Sequence, residues 1–317
     1  MRPFLGVTSA VRAIAVIVAL SASAIPAFPN GFTIVPTFDG SITSDANATK
    51  IEASINAAIS QIESYFTDNI TVPIQFIKET TGLGNSSTAA EEVTYTAYRN
   101  ALIADASDSD DAGALFFDLP DQANSPVDGQ ADMLLTVANG QALGLNGPAT
   151  FDGTIYLNTS IMNFDRSNIN LSFYDAQSVV MHEMDEVLGL GSGLNIPLGQ
   201  RESRAQDLFR YSAPGVRSYS SAAPSSYFSI DGGATNLVNF YQGAGGDYGD
   251  WKSVNGSPKV QDAIGTPGSV PAYGVEVRDL DVIGYNLVTP EPGTWLLLAA
   301  GIGLITLRSR RAATRTE

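Results

Sequence analysis

Apolar and polar residues alternate along FTIVPTFD, residues 32–39, with the period of a half-buried strand. The pattern then changes: Ile51, Ile55, Ala58, Ile59 and Ile62 recur at three- and four-residue spacings, which predicts an amphipathic helix over 45–66. ITVPIQFIKE (70–79) returns to strand character, so the helix is expected to pack on a sheet containing both strands. Residues 80–91 are rich in Gly, Ser and Thr and predict a loop, followed by a helix at about 95–106. ADMLLTVAN (131–139) and GTIYLNTS (153–160) read as two further strands. The next helix is expected at about 173–188: Ser172 and Asp175 have the spacing of a capping box, and Gly189, Gly191 and Gly193 end it. Beyond residue 193 short apolar pieces are separated by Gly, Pro, Ser and Asp. YFSIDGGATNLVNFY (227–241) predicts a strand pair turning at Asp231, Gly232 and Gly233, and a last short helix begins near Val277 and includes LDVIGY. The expected fold class is α+β, a mixed twisted sheet with a site-bearing helix, followed by an irregular Gly/Ser/Pro-rich C-terminal subdomain.

The two ends change the picture of what the mature chain contains. Arg2 and Arg12 precede an apolar stretch from Ala13 to Leu20, then the small residues Ala22, Ser23 and Ala24 and Pro26. This is the layout of a secretory signal peptide over 1–27, cleaved after Ala24 or Ala27. At the other end, Pro290, Glu291 and Pro292 precede an apolar run from Trp295 to Leu307, closed by Arg308, Arg310 and Arg311. The run is shorter than the ~20 residues of a comfortable membrane span. The tail, 288–317, resembles the PEP-CTERM sorting signal of Gram-negative bacteria. That resemblance implies Sec export, transient membrane anchoring through the C-terminal segment, removal by an exosortase-type enzyme, and a final place outside the cell or on its surface. Between the two signals one domain is expected over 28–287, with an N-terminal part to about 190 and a C-terminal part over 191–287.

The formal net charge of −16 excludes nucleic acid and anionic membrane surfaces as natural partners, because phosphate repels such a chain at close range. Trimming both ends removes six of the 17 basic residues and two of the 33 acidic ones, leaving a charge of −20. With no cysteine, the exported protein has neither a disulfide brace nor a thiol for ligation or attack. The acidic run DASDSDD (105–111) has carboxylates of the kind that hold Ca2+, but without the spacing of a known calcium loop. A solvated acidic loop is the expectation there, and a calcium loop the alternative.

The candidate chemistry lies in VVMHEMDEVLGLGSG (179–193), which holds the only histidine. On a helix, residues four apart lie one above the other, so His182 and Glu186 can grip one cation from a rigid platform. Glu183 is rotated about 100° from His182, which places it beside the ion as general base for a metal-activated water. This is the logic of H-E-x-x-H with glutamate for the second histidine. A divalent ion is needed because it brings the pKa of water from ~15.7 to about 7. A lone helical histidine is most often a hydrogen-bonded structural residue; the adjacent glutamate, the i+4 carboxylate and the terminating glycine favour ligation.

HEMDEVLGLGS resembles the metzincin pattern H-E-x-x-H-x-x-G-x-x-H at His182, Glu183 and Gly189, with Glu186 and Ser192 where the second and third histidines would stand. The chain is also similar to an exported bacterial metalloprotease family in which H-E-x-x-E-V-L-G recurs with DLFRYSAPGVRS (207–218), YFSIDGG (227–233), GGDYGDW (245–251) and LDVIGY (280–285). The resemblance implies a metzincin-like zincin fold and a zinc-dependent endopeptidase acting on protein or peptide substrates.

Because Ser192 is a weak ligand, a third donor is expected elsewhere. Asp207 is the first choice, following the glycine break by a loop of fitting length; an N-cap on a short helix is its structural alternative. Asp185 is the second choice, as a residue that orients a ligand or caps the edge of the site. Tyr211 is a candidate catalytic residue that, with Arg210, would steady the oxyanion, against packing as the alternative. One imidazole and two carboxylates serve Zn2+ and also accept Mn2+ or Fe2+. Two rival functions remain at this point: a catalytically degenerate metal-binding matrix or surface protein, and a metal-free glycosidase pairing Glu183 with Asp207. The acidity of the chain further suggests basic or extended peptides bound along a sheet edge.

Overall fold

The computed structural model describes residues 31–197 and 202–288. The signal peptide expected at 1–27 and the sorting tail, apart from Val288, lie outside the described residues. Among the described residues no helix is long and apolar enough to cross a membrane.

The chain begins with β1 (Thr33–Phe38), a short helix α1 (Gly40–Thr43), α2 (Ala48–Glu63) and β2 (Thr71–Lys78). Asp39 caps α1 by accepting the Ser41 amide. The periodic residues of α2, Ile51, Ile55, Ala58, Ile59 and Ile62, are all buried. The region expected to be loop contains β3 (Gly84–Thr88) and the start of β4 (Ala90–Thr94). GNSST shows no apolar alternation; it is a strand because its backbone pairs with another strand. Next come α3 (Tyr95–Asp105) and α4 (Ser109–Phe117). The acidic run 105–111, expected to be a solvated loop, instead spans the last residue of α3, a short link and the start of α4, where Asp108 accepts the Asp110 and Asp111 amides and Asp111 reciprocates at Asp108, a capping box.

The strand expected at 131–139 ends early. β5 (Asp132–Thr136) gives way to α5 (Val137–Ala142), capped by the Thr136 hydroxyl, which accepts the Asn139 amide at 3.2 Å. β6 (Gly153–Leu157), β7 (Met162–Asn163) and β8 (Tyr174–Asp175) lead into α6 (Ala176–Leu188). Helix α6 starts three residues later than expected and is capped by Asp175 itself, which accepts the Ser178 amide. It ends at Gly189, whose φ of +134° disfavours any side chain. The remaining elements are β9 (Arg210–Ala213), β10 (Val216–Arg217), β11 (Tyr227–Phe228), β12 (Val238–Asn239) and α7 (Val275–Val282). The expected strand pair is present, with Tyr227 opposite Asn239.

The principal sheet has the order β1-β2-β6-β3. β1, β2 and β6 are parallel, and β3 closes one edge antiparallel to β6, with Ser86 opposite Ile155. Helix α2 packs on β1, α6 packs on β6 and β3, and the two helices pack on each other. A second sheet, β10-β9-β11-β12, is antiparallel throughout. The fold is mixed α+β. One buried apolar cluster runs from Phe32 and Ile34 through Val180, Met184 and Leu188 of α6 to Trp251, Leu280 and Tyr285. The segments on either side of residue 190 therefore share a core, and α6 lies between them.

Candidate metal centre and catalytic site

Burial of its apolar residues fixes the rotation of α6. Val180, Met181, Met184, Val187 and Leu188 face the interior, while His182, Glu183 and Glu186 reach a cavity of about 350 Å3. Its walls come from β3 (Gly84, Asn85), from α6, and from two later loops that supply Asp250 and Val260.

His182 Nδ1 lies 2.9 Å from the carbonyl oxygen of Val260. A carbonyl can only accept, so Nδ1 carries the proton and Nε2 is turned to the cavity; a hydrogen bond of this kind to a backbone carbonyl fixes which nitrogen is free to meet a cation. Around Nε2 stand Asp250 Oδ1 at 3.6 Å and Glu186 Oε1 at 3.8 Å. One donor atom from each of His182, Glu186 and Asp250 lies within 4.8 Å of the others. Tetrahedral ligands about 2.1 Å from zinc are about 3.4 Å apart, close to the 3.6 and 3.8 Å that separate Nε2 from the two carboxylate oxygens, so the donor types and these two spacings suit a small divalent cation.

Second contacts hold these groups. Ser86 of β3 donates its hydroxyl to Glu186 Oε2 at 2.5 Å. Gln261 donates to Asp250 Oδ1 at 2.9 Å, and its amide nitrogen is 3.4 Å from His182 Nε2. Gly84 leaves room for the carboxylate of Glu183, which a Cβ at that position would strike. Asp250 itself is placed by its neighbours: Trp251 is fully buried against Phe228 and Phe240, and its indole N–H donates to Glu276.

Electrostatically the cavity demands positive charge. Burial opposes an imidazolium, but the carboxylates of Asp250, Glu183 and Glu186 outweigh it and push the pKa of His182 up to about 10. Burial, reinforced by Glu186, raises Glu183 well above the usual carboxylate range, and burial likewise raises Asp250 and Glu186. A divalent cation would satisfy all four groups at once, and it would displace protons in doing so.

His182, Glu183 and Glu186 thus come together as expected, but Asp207 does not join them. Its Oδ1 accepts the Ser192 hydroxyl at 2.5 Å, and its Oδ2 accepts the Gly193 and Arg204 amides at 2.8 and 2.9 Å. These bonds use the carboxylate to tie the glycine loop after α6 to the 3-10 turn Ala205–Phe209. Ser192 is engaged in the same network. The glycosidase pairing of Glu183 with Asp207 loses its second carboxyl for the same reason, since Asp207 does not line the cavity.

Asp185 faces α7 rather than the cavity, accepting the Tyr273 hydroxyl at 2.8 Å. Tyr211 is buried and donates to Asp118 Oδ1 at 2.5 Å, so its hydroxyl ties β9 to the end of α4 and points away from the cavity. Arg210 is buried with its guanidinium 4.1 Å from the centre of the Phe240 ring, and it donates to the Tyr248 carbonyl, two residues before Asp250. Neither Arg210 nor Tyr211 lines the cavity.

The carboxylate that the structure brings to His182 and Glu186 is Asp250, within GGDYGDW. It was overlooked in the sequence; Val260 and Gln261 were missed as well, and neither carries a signal in its residue type or spacing. Compared with known proteins, the chain matches no family model, no curated protein and no solved structure.

Proposed function

We propose that the protein is a zinc-dependent endopeptidase of metzincin-like fold, with His182, Glu186 and Asp250 as the metal ligands and Glu183 as the general base. The observation that carries this reading is the environment of His182 Nε2. Its partner nitrogen is satisfied by a backbone carbonyl, and it faces two carboxylates at 3.6 and 3.8 Å inside a cavity open to substrate. Bound there, zinc would polarise the scissile carbonyl and lower the pKa of water toward neutrality. A donor set of one imidazole nitrogen and two carboxylate oxygens also accepts Mn2+ or Fe2+.

The chain's own residues supply the rest. Glu183 is held against β3 at the cavity wall, beside the proposed ligands, where its carboxylate can take a proton from water and pass it to the leaving amine. β3 is an edge strand, so an extended peptide can add beside it through main-chain hydrogen bonds. The cavity is lined by Asp175, Glu183, Glu186, Asp247, Asp250 and Asp262, with Lys259 and His182 as its basic residues. That excess of carboxylates favours peptides bearing Lys or Arg.

The test is cleavage of an unfolded basic protein by the zinc-loaded enzyme and by Glu183→Gln. Turnover is expected to fall roughly a hundred- to ten-thousand-fold while zinc stays bound. Equal turnover in the two proteins would remove the peptidase mechanism. Zinc binding without cleavage by the unmodified protein would leave the non-catalytic metal-binding reading.

A further inference from the structure

We propose that Asp108, Asp111 and Asp281 form a calcium site that fastens α4 to α7. One carboxylate oxygen from each of the three lies within 4.8 Å of the others, and oxygens 2.3–2.6 Å from a single Ca2+ are at most about 5 Å apart. Two of the ligands are local to the start of α4, whereas the third comes from the last turn of α7, far along the chain.

Asp281 is the observation that separates this cluster from an ordinary acidic loop. It is 1% exposed, and neither of its carboxylate oxygens has a hydrogen-bond partner. An unpartnered buried carboxylate is costly. Its position at the C-terminal end of α7 adds to the cost, because the helix dipole is negative there. Nearby cationic charge is already committed: Arg278 forms a two-pronged pair with Asp110, through Nη2 to Oδ1 at 2.9 Å and Nε to Oδ2. In keeping with this, burial and the neighbouring Asp111, Asp108 and Asp110 push the carboxyl of Asp281 up to about 8.

The other two ligands are set up to share a cation. The hydrogen bonds to Asp108 fall on Oδ1, from the Asp110 and Asp111 amides, and those to Asp111 fall on Oδ2, from Ser107 and the Asp108 amide. The second oxygen of each remains for the ion, and the capping box holds both side chains in place. An all-carboxylate donor set without nitrogen or sulfur selects a hard cation, and its flexible oxygen geometry suits calcium better than magnesium, which requires a tight octahedron and retains its water.

The experiment is thermal unfolding of the chelator-treated protein with and without CaCl2, compared with Asp281→Asn and Asp108→Asn. Asparagine keeps the cap at 108 and replaces the unpartnered buried carboxyl at 281 with a group that cannot ionise, so both variants are expected to fold without calcium. Calcium at a hundredfold excess over its dissociation constant should raise the Tm of the unmodified protein by about 5–10 °C. In both variants the rise should be largely lost, and Asp281→Asn should be at least as stable as the calcium-free parent. No calcium-dependent rise in the parent, an undiminished rise in Asp281→Asn, or an equal rise with MgCl2 would overturn the proposal.

Discussion

Gly249 and Gly191 meet backbone to backbone: a Cβ added to Gly249 would fall 2.5 Å from the Cα of Gly191. Gln206 clamps the contact, accepting the Gly191 amide at 2.7 Å and donating to the Gly249 carbonyl at 3.1 Å. Gly191 belongs to the break that ends α6, and Gly249 immediately precedes Asp250. The approach of two glycines therefore sets how near Asp250 comes to His182. Gly249→Ala should force the backbones apart, cost about 1–3 kcal/mol of stability, and weaken zinc binding in the protein that still folds. Urea unfolding and zinc titration of the same variant check both effects; normal zinc affinity would show that the contact does not govern the ligand.

Asp250 and Asp207 are separated by their substitutions. Asp250→Ala should remove a ligand and abolish tight zinc binding with little loss of fold. Asp207→Ala should strand the Ser192 hydroxyl and the Gly193 and Arg204 amides, costing about 2–4 kcal/mol, yet leave zinc bound per folded molecule. Metal content measured beside the unfolding midpoint distinguishes the two, and the opposite pattern would restore Asp207 as the ligand.

Zinc binding should release protons. Because the surrounding carboxylates raise His182 to about 10, the metal-free imidazole is protonated at neutral pH, and a cation must displace that proton. Apparent affinity should rise by about tenfold per pH unit for each proton displaced between about pH 6 and 9. Calorimetry in buffers of different ionisation enthalpy reads the number directly, and a heat independent of buffer would contradict the charge balance described for the cavity.

Stability should depend on Asp152 in a defined window. Burial raises its carboxyl to about 6, although Gln141 donates to Oδ1 at 3.0 Å, and Oδ2 has no partner. The native group keeps its proton up to about pH 6 and the unfolded one only to about pH 4. The native state therefore binds more protons between those values, and stability falls as pH rises through the window, levelling above it. Asp152→Asn should remove this dependence, so that the unmodified protein loses roughly 1–3 kcal/mol relative to the variant between about pH 4 and about pH 7.5. Parallel urea midpoints over that range would expose the prediction's failure.

Half of the site could be read from the sequence because it is local. His182 and Glu186 share a helix, and the 3.6-residue repeat, the glycine stop and the buried apolar face determine where their side chains point. Asp250 lies in a segment without periodicity, so its residue type was visible but its direction was not. Loop length points to Asp207 but does not report that three donors from the same loop and turn already hold its oxygens. β3 escaped for a related reason: GNSST is polar on both faces, and pairing with β6 makes it a strand. Asp108 and Asp111 looked like solvated charge because a capping box is recognisable only once a helix is known to follow. α2, β1 and β2, whose apolar spacing is regular, lie within a few residues of where that spacing put them.

Metal analysis of the purified protein beside His182→Ala shows whether the imidazole holds a cation. About one equivalent of zinc per chain should survive desalting in the unmodified protein and be absent from a His182→Ala variant that keeps its circular dichroism spectrum. Equal metal content in the two proteins would show that His182 is not a zinc ligand.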